Sequence, residues 1–279
     1  MDRGTNFRGL ARARAPGPTR TREALVADLR TLGVRPGQTL LVHASLSAIG
    51  WVDGGPATVV AALRDSVGET GTVVTPTITP ENSTTSRAHL KLIAGKSAQE
   101  VEEYRAQMPA FDRQLTPAPG AGRIAEALRT TLGAVRSDHP QSSFAAIGAR
   151  AARLMASHRL TSHLGEESPL ACMYDLRDVA ILMMGVGYEA CSALHLAEYR
   201  YTDRPPKRDY ECVVSIDGER GWTSYRDVIL DDEEFRLIGW QAEKRVESAC
   251  GCVGDAECRL VPLRDVVDFA TDWMARYRS

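Results

Sequence analysis

Three histidines stand where a proton could be moved. His139 precedes a proline in Arg136-Ser137-Asp138-His139-Pro140-Gln141-Ser142-Ser143-Phe144, just upstream of the small-residue run Ala145-Ala146-Ile147-Gly148. Proline fixes its own φ and pushes the preceding residue out of the helical region. This imidazole is therefore expected on a rigid extended or turn segment that could aim it at a substrate, the alternative being a surface-loop histidine. Histidine titrates nearest neutrality, so it can take a proton from a nucleophile and release it again. Such a base needs an acceptor on its other nitrogen. Glu198, in Ala193-Leu194-His195-Leu196-Ala197-Glu198, is the candidate orienter. Its alternative is a helix-surface carboxylate bridged to Arg200 or a neighbour. His195 lies three residues earlier, on the same helix face. His-x-x-Glu is a metal-binding spacing in helix bundles, but no second such motif accompanies it. A pocket role or a core histidine is the reading for His195, and no metal is expected. His43 closes an apolar run, at the position where ligand-contacting loops leave open α/β sheets.

Cysteine offers a second chemistry. Cys191 lies seven residues before Glu198 and near His195, the arrangement a covalent cysteine nucleophile would need. Cys250, Cys252 and Cys258 could present thiolates to zinc, but no fourth ligand stands nearby and C-x-C is not the usual knuckle. Reduced loop cysteines are expected.

The elements that must position these groups are legible in outline. Residues 21–32 read as a helix capped by Thr21 and ended by Gly33. Thr39-Leu40-Leu41-Val42-His43 reads as a buried strand, residues 44–55 as a loop, and residues 56–67 as a helix opened by Pro56. Thr72-Val73-Val74-Thr75 is a second buried strand. This β-loop-α-β order predicts an α/β fold, three layers α/β/α around a mostly parallel or mixed sheet. Residues 78–122 form a long polar insertion with one helix near 98–107, expected to wall a substrate cleft. Further helices are expected over 122–132, 149–158, 191–200 and 261–276. Residues 179–185 read as a central strand, and 212–216 with 221–226 as a hairpin turned at Asp217-Gly218.

At 279 residues and 30.4 kDa, with a net charge of −2, the chain can bury a substantial core and presents no basic surface for nucleic acid. Residues 1–20 are read as a flexible arm ahead of a single domain spanning 21–279. The six arginines between Arg3 and Arg22 are broken by Pro and Gly, and no apolar segment follows them. A cytoplasmic location without a membrane span is expected.

Five segments occur in an order and spacing that resemble the aminoglycoside 3-N-acetyltransferase family. They are Leu40-Leu41-Val42-His43-Ala44-Ser45-Leu46-Ser47-Ala48-Ile49-Gly50-Trp51-Val52-Asp53-Gly54-Gly55, Gly71-Thr72-Val73-Val74-Thr75-Pro76-Thr77, the His139-Pro140 segment, Ser168-Pro169-Leu170, and the run ending at Glu198. The resemblance runs from about residue 21 to about residue 272. It implies transfer of acetyl from acetyl-CoA, as co-substrate, to the 3-amino group of a 2-deoxystreptamine antibiotic. The transfer is a direct attack in a ternary complex, with His139 as base and Glu198 behind it. His43, Ala44, Ser45, Leu46, Ser47, Thr75, Thr77 and Ser142 are assigned to the cofactor. Free N–H groups in the 44–50 loop suit its pantetheine and phosphates, and one suits an oxyanion. A polycationic acceptor calls for carboxylates, and Glu189, Glu81 and Asp112 are assigned to it, with His195 in the pocket. Gly187 and Ala190 depart from the Pro and Thr/Ser usual in relatives. The alternatives are acetylation of another amine in natural-product assembly, or a non-catalytic binder of antibiotic or CoA. A small amine and, at most, a second copy of the chain are the expected partners.

Overall fold

The computed structural model describes residues 19–278. One sheet is ordered β3-β4-β2-β1-β5-β9-β8. Its strands are β1 (Thr39–Ala44), β2 (Thr72–Pro76), β3 (Val135–Arg136), β4 (Phe144–Gly148), β5 (Val179–Met184), β8 (Ala249–Val253) and β9 (Ala256–Pro262). A separate antiparallel ribbon pairs β6 (Lys207–Ile216) with β7 (Glu219–Val228). β1 runs parallel to β2 on one side and β5 on the other, while β4 and β9 pair antiparallel at the flanks, so the sheet is mixed.

The central strands read as unbroken apolar runs because both of their faces are covered. Leu41, Val74, Ile181 and Met183 point into one apolar cluster, and Leu40, Val42, Val73, Leu182 and Met184 into the opposite one. The first cluster is closed by α7 (Ala151–Leu154), α8 (Pro169–Tyr174), α9 (Leu194–Glu198), α10 (Phe235–Ala242) and α11 (Leu263–Tyr277). The second is closed by α1 (Arg22–Leu32), α3 (Gly55–Val67) and α6 (Arg123–Arg129). This is the expected three-layer arrangement. A short helix, α2 (Leu46–Ile49), follows β1, and α4 (Arg87–Ile93) and α5 (Ala98–Gln107) lie in the insertion.

Local signals act as their chemistry dictates. The Thr21 side chain accepts from the Ala24 amide, and Gly33 closes α1 at φ 111°. Asp217 and Gly218 both take positive φ, 52° and 86°, the geometry a tight hairpin turn demands. Two expected helices are shorter than their sequence suggested, and the insertion carries a second helix, α4, beside the one expected near 98–107. The helix expected over 149–158 is a single turn, α7, and that over 191–200 shrinks to α9 preceded by a 3-10 turn at Tyr188–Ala190. The small-residue run after the His-Pro step is a strand, β4, because small side chains let it lie buried beside β2. Most of the arm expected over residues 1–20 lies outside the described residues. Its end, Arg20, bonds back onto the chain, donating to Trp51 O and accepting from Asp53 N.

Candidate active site

A cavity of about 940 Å³ opens at the carboxyl ends of the parallel strands β1, β2 and β5. Such edges collect ligand sites because each strand releases a loop over the same end of the sheet. The cavity is lined by His43 to Ser47 from the end of β1, Gly50 to Gly55 from the following loop, Thr75 and Pro76 from β2, and Val186 to His195 in part from beyond β5. Gly120 to Ala125 and Asp232 complete the wall. Ser45 N donates to Met184 O and Ala48 N to Ser45 O. The amides of Leu46 and Ser47 between them have no protein acceptor among the described residues. Gly185 lets this wall approach β5: at φ 65° a side chain is disfavoured, and a Cβ there would overlap that of Ala48.

His195 faces this space from α9. Its Nδ1 lies 2.6 Å from Glu198 Oε2, the i,i+3 spacing of the sequence expressed on one helix face. The Phe235 ring packs against the imidazole at 4.6 Å between centroids. Its Nε2 has no protein partner among the described residues. Glu198 is almost fully buried, at 1% exposure, and every direction is answered. Oε1 accepts from Asp231 N at 2.9 Å and from an Arg278 guanidinium nitrogen at 2.7 Å. With Oε1 occupied by these two donors, Oε2 is the acceptor for His195 Nδ1, which leaves Nε2 as the nitrogen free to accept a proton.

Around this pair the other reactive groups are electrically quiet. Burial and the neighbouring His195 hold His43 down to about 4, so it is neutral at neutral pH. Its Nε2 lies 3.4 Å from Ser192 Oγ. Burial pushes the Cys191 thiol up to about 12, which leaves it protonated and unsuited to act as a nucleophile.

The expected pairing of His139 with Glu198 is not formed. His139 is wholly buried away from the cavity. Its Nδ1 accepts from the Gln141 and Ser142 amides at 3.1 Å, and its Nε2 donates to Leu160 O at 3.2 Å. With both nitrogens committed, the ring has no lone pair to offer a substrate. The proline step makes it rigid, as expected, but aims it inward. Ser142 turns inward too, bonding His139 and His163 O, and Thr77 pairs with Ser143 Oγ, so neither lines the cavity. Asp112 closes its own turn by accepting from Gln114 and Leu115 amides, and neither it nor Glu81 reaches the wall. Of the insertion, Ile78 and Gly120 to Gly122 line the cavity. Cys250 and Cys252 point outward from edge strand β8 while Cys258 is buried. No metal-holding cluster occurs among the described residues.

His43, Ala44, Ser45, Leu46, Ser47, Thr75, Glu189 and His195 do converge on the cavity. Sequence reasoning missed Asp232, Ser192 and Arg278. The acidic run Asp231-Asp232-Glu233-Glu234 was the available signal for the first. The third, at the far end of the chain, had none.

A profile for aminoglycoside 3-N-acetyltransferases matches residues 41–275. The chain belongs to this family. It is 39% identical to aminoglycoside N(3)-acetyltransferase VII of Streptomyces paromomycinus, covering 94% of this chain and 93% of that one. The crystal structure of YokD from Bacillus subtilis superposes with a TM-score of 0.87 at 34% identity, covering 94% and 96% of the two chains. A structure described as AAC-IIIb binary with CoASH superposes at 0.81 with 29% identity, covering 93% and 97%. The acetyltransferase is accordingly an acyltransferase with acetyl-CoA as co-substrate. No described helix is long and apolar enough to cross a membrane.

Proposed function

We propose that the acetyltransferase transfers acetyl from acetyl-CoA to the 3-amino group of a 2-deoxystreptamine aminoglycoside, by direct attack within a ternary complex. His195 is the base and Glu198 its orienter. The observation that carries this is the 2.6 Å contact between His195 Nδ1 and a fully buried Glu198 at the wall of the cavity. The amine nitrogen attacks the thioester carbonyl carbon as His195 Nε2 takes its proton. The tetrahedral intermediate then collapses, breaking the C–S bond, and the proton returns to the departing CoA sulfur. The free amides of Leu46 and Ser47 are placed to receive the oxyanion, as preorganised donors do. His43 to Ser47 and Thr75 form the cofactor side. Glu189 and Asp232 supply negative charge on the acceptor side, suited to an ammonium-rich substrate.

The test is thiol release from acetyl-CoA with and without a panel of aminoglycosides, on the wild type and on His195→Asn. Acceptor-dependent release, reduced about 10² to 10⁴-fold in the variant, is the expected result for loss of a general base. Release without any amine would indicate a thioesterase instead. Acetyl-CoA binding with no turnover on any aminoglycoside would move the acceptor to another amine.

A further inference from the structure

We propose that Arg278, the penultimate residue of the chain, is a positioning residue of the acetyl transfer, setting through Glu198 the basicity of His195. The inference rests on the reading of His195 as base. The guanidinium reaches back from the end of α11 and makes three bonds. One nitrogen donates to Glu198 Oε1 at 2.7 Å, Nε donates to Glu234 Oε2 at 2.6 Å, and the third donates to Asp231 O at 2.8 Å. It is the cation bonded to the carboxylate that holds His195. Since the same fork grips Asp231, it also fixes the segment that turns Asp232 into the cavity.

The charges facing this group come from every element packed on α9. Glu198 lies on α9 itself, Arg278 on α11, Glu234 at the start of α10, and Asp231 and Asp232 in the preceding loop. His43 from β1 and Cys191 before α9 are both neutral near pH 7, and Glu189 lies on the 3-10 turn across the cavity. Arg278 shares the Glu198 charge with His195. Without that cation, the full negative charge falls on the imidazolium and stabilises it, so His195 keeps its proton to higher pH and fewer molecules hold the free base. A guanidinium that only packed the C-terminus would carry no such sign.

Three variants decide it, each checked for folding by its melting temperature: His195→Asn, Arg278→Gln and Arg278→Lys. In Arg278→Gln the acid limb of the kcat profile should move up by about one pH unit, a tenfold loss at pH values below the limb, with a much smaller loss on the plateau. Arg278→Lys keeps the charge but not the fork. Its limb should stay near that of the wild type while KM for the acceptor rises, because the Asp231–Asp232 segment is less firmly held. If Arg278→Gln loses activity equally at all pH values, or Arg278→Lys moves the limb as far as Arg278→Gln does, the inference is overturned while His195 stands. If His195→Asn retains turnover, the assignment of the base itself falls and this inference with it.

Discussion

An imidazole acts as a base where one nitrogen is held and the other is open to the reacting proton, and the histidines of this chain divide on that criterion. His195 meets it, with Nδ1 on Glu198 and Nε2 facing the cavity. His139 does not, because two backbone amides, a serine hydroxyl and a carbonyl consume both of its nitrogens. Its role is to tie off the turn that Pro140 begins. Replacing it by Ala strands the Gln141 and Ser142 amides in a dry interior, each at about 1–3 kcal/mol. His139→Ala should therefore melt well below the wild type, while kcat per folded molecule stays within about threefold, a change far smaller than loss of a base would give. Thermal melts and active-site-titrated turnover check this. A hundredfold loss of kcat in a fully folded variant would return His139 to the chemistry. The sequence announced that the His-Pro step is constrained, which follows from proline sterics. It could not say which way the ring points, because the acceptor of its other nitrogen, Leu160 O, lies 21 residues away in the chain.

The element scale poses a different problem, that of docking a ribbon that has little apolar surface. β6 and β7 bury Tyr210, Cys212 and Tyr225 in a small cluster against which Val214 packs, and bury Val213 and Val228 besides. Polar bonds supply the rest. Asn82 from the insertion both donates to Val213 O and accepts from Val213 N. His163 Nδ1 lies 2.6 Å from Asp227 Oδ2, which also accepts from Tyr199 Oη. The Gln141 amide donates to Asn82 O and Glu211 O, so its oxygen must face His163 Nε2 at 2.8 Å. Tyr225 Oη completes the cluster, donating to the same Gln141 oxygen. The buried His163–Asp227 pair thereby clamps β7 to the core. Asp227→Asn breaks one side of this buried pair, at a cost of about 3–5 kcal/mol. The expected outcome is a loss of stability of that size in urea titration, with hydrogen exchange rising first along β6 and β7. An unchanged exchange pattern in the ribbon would show that it is held by other means. The hairpin itself was legible from Asp217-Gly218 and its flanking alternation. Its clamp was not, because four of its members, Gln141, His163, Tyr199 and Asp227, are scattered over the chain and look like ordinary polar residues.

At the scale of the whole molecule, the β-loop-α-β order near the N-terminus was enough to fix the layer architecture, since buried parallel strands admit few other solutions. The flanking antiparallel strands β4, β8 and β9 were less legible, being made of small residues, cysteines and charges whose partners are remote. The same packing has a consequence for pH. Burial holds His43 and His158 down to about 4 and His139 well below its usual 6.5. A native pKa below the unfolded one means that the unfolded chain binds more protons between the two values, so stability rises with pH across that window. Stability contributed by these neutral rings is complete above about pH 6.5 and is lost as pH falls toward 4. Each of His43 and His158 accounts for roughly 3 kcal/mol over the full interval, from about 1.4 kcal/mol per pH unit. That is a large share of a net stability of about 5–15 kcal/mol, so the acetyltransferase should lose stability steeply between about pH 6.5 and 4. Urea midpoints measured from pH 8 to pH 4 test this, with His158→Asn expected to flatten the slope by about one proton. A midpoint that is flat down to pH 4.5 would mean the rings protonate without unfolding the chain. The same titration bounds the kinetic experiments: an acid limb that belongs to His195 must appear at pH values where the urea midpoint shows the protein still folded.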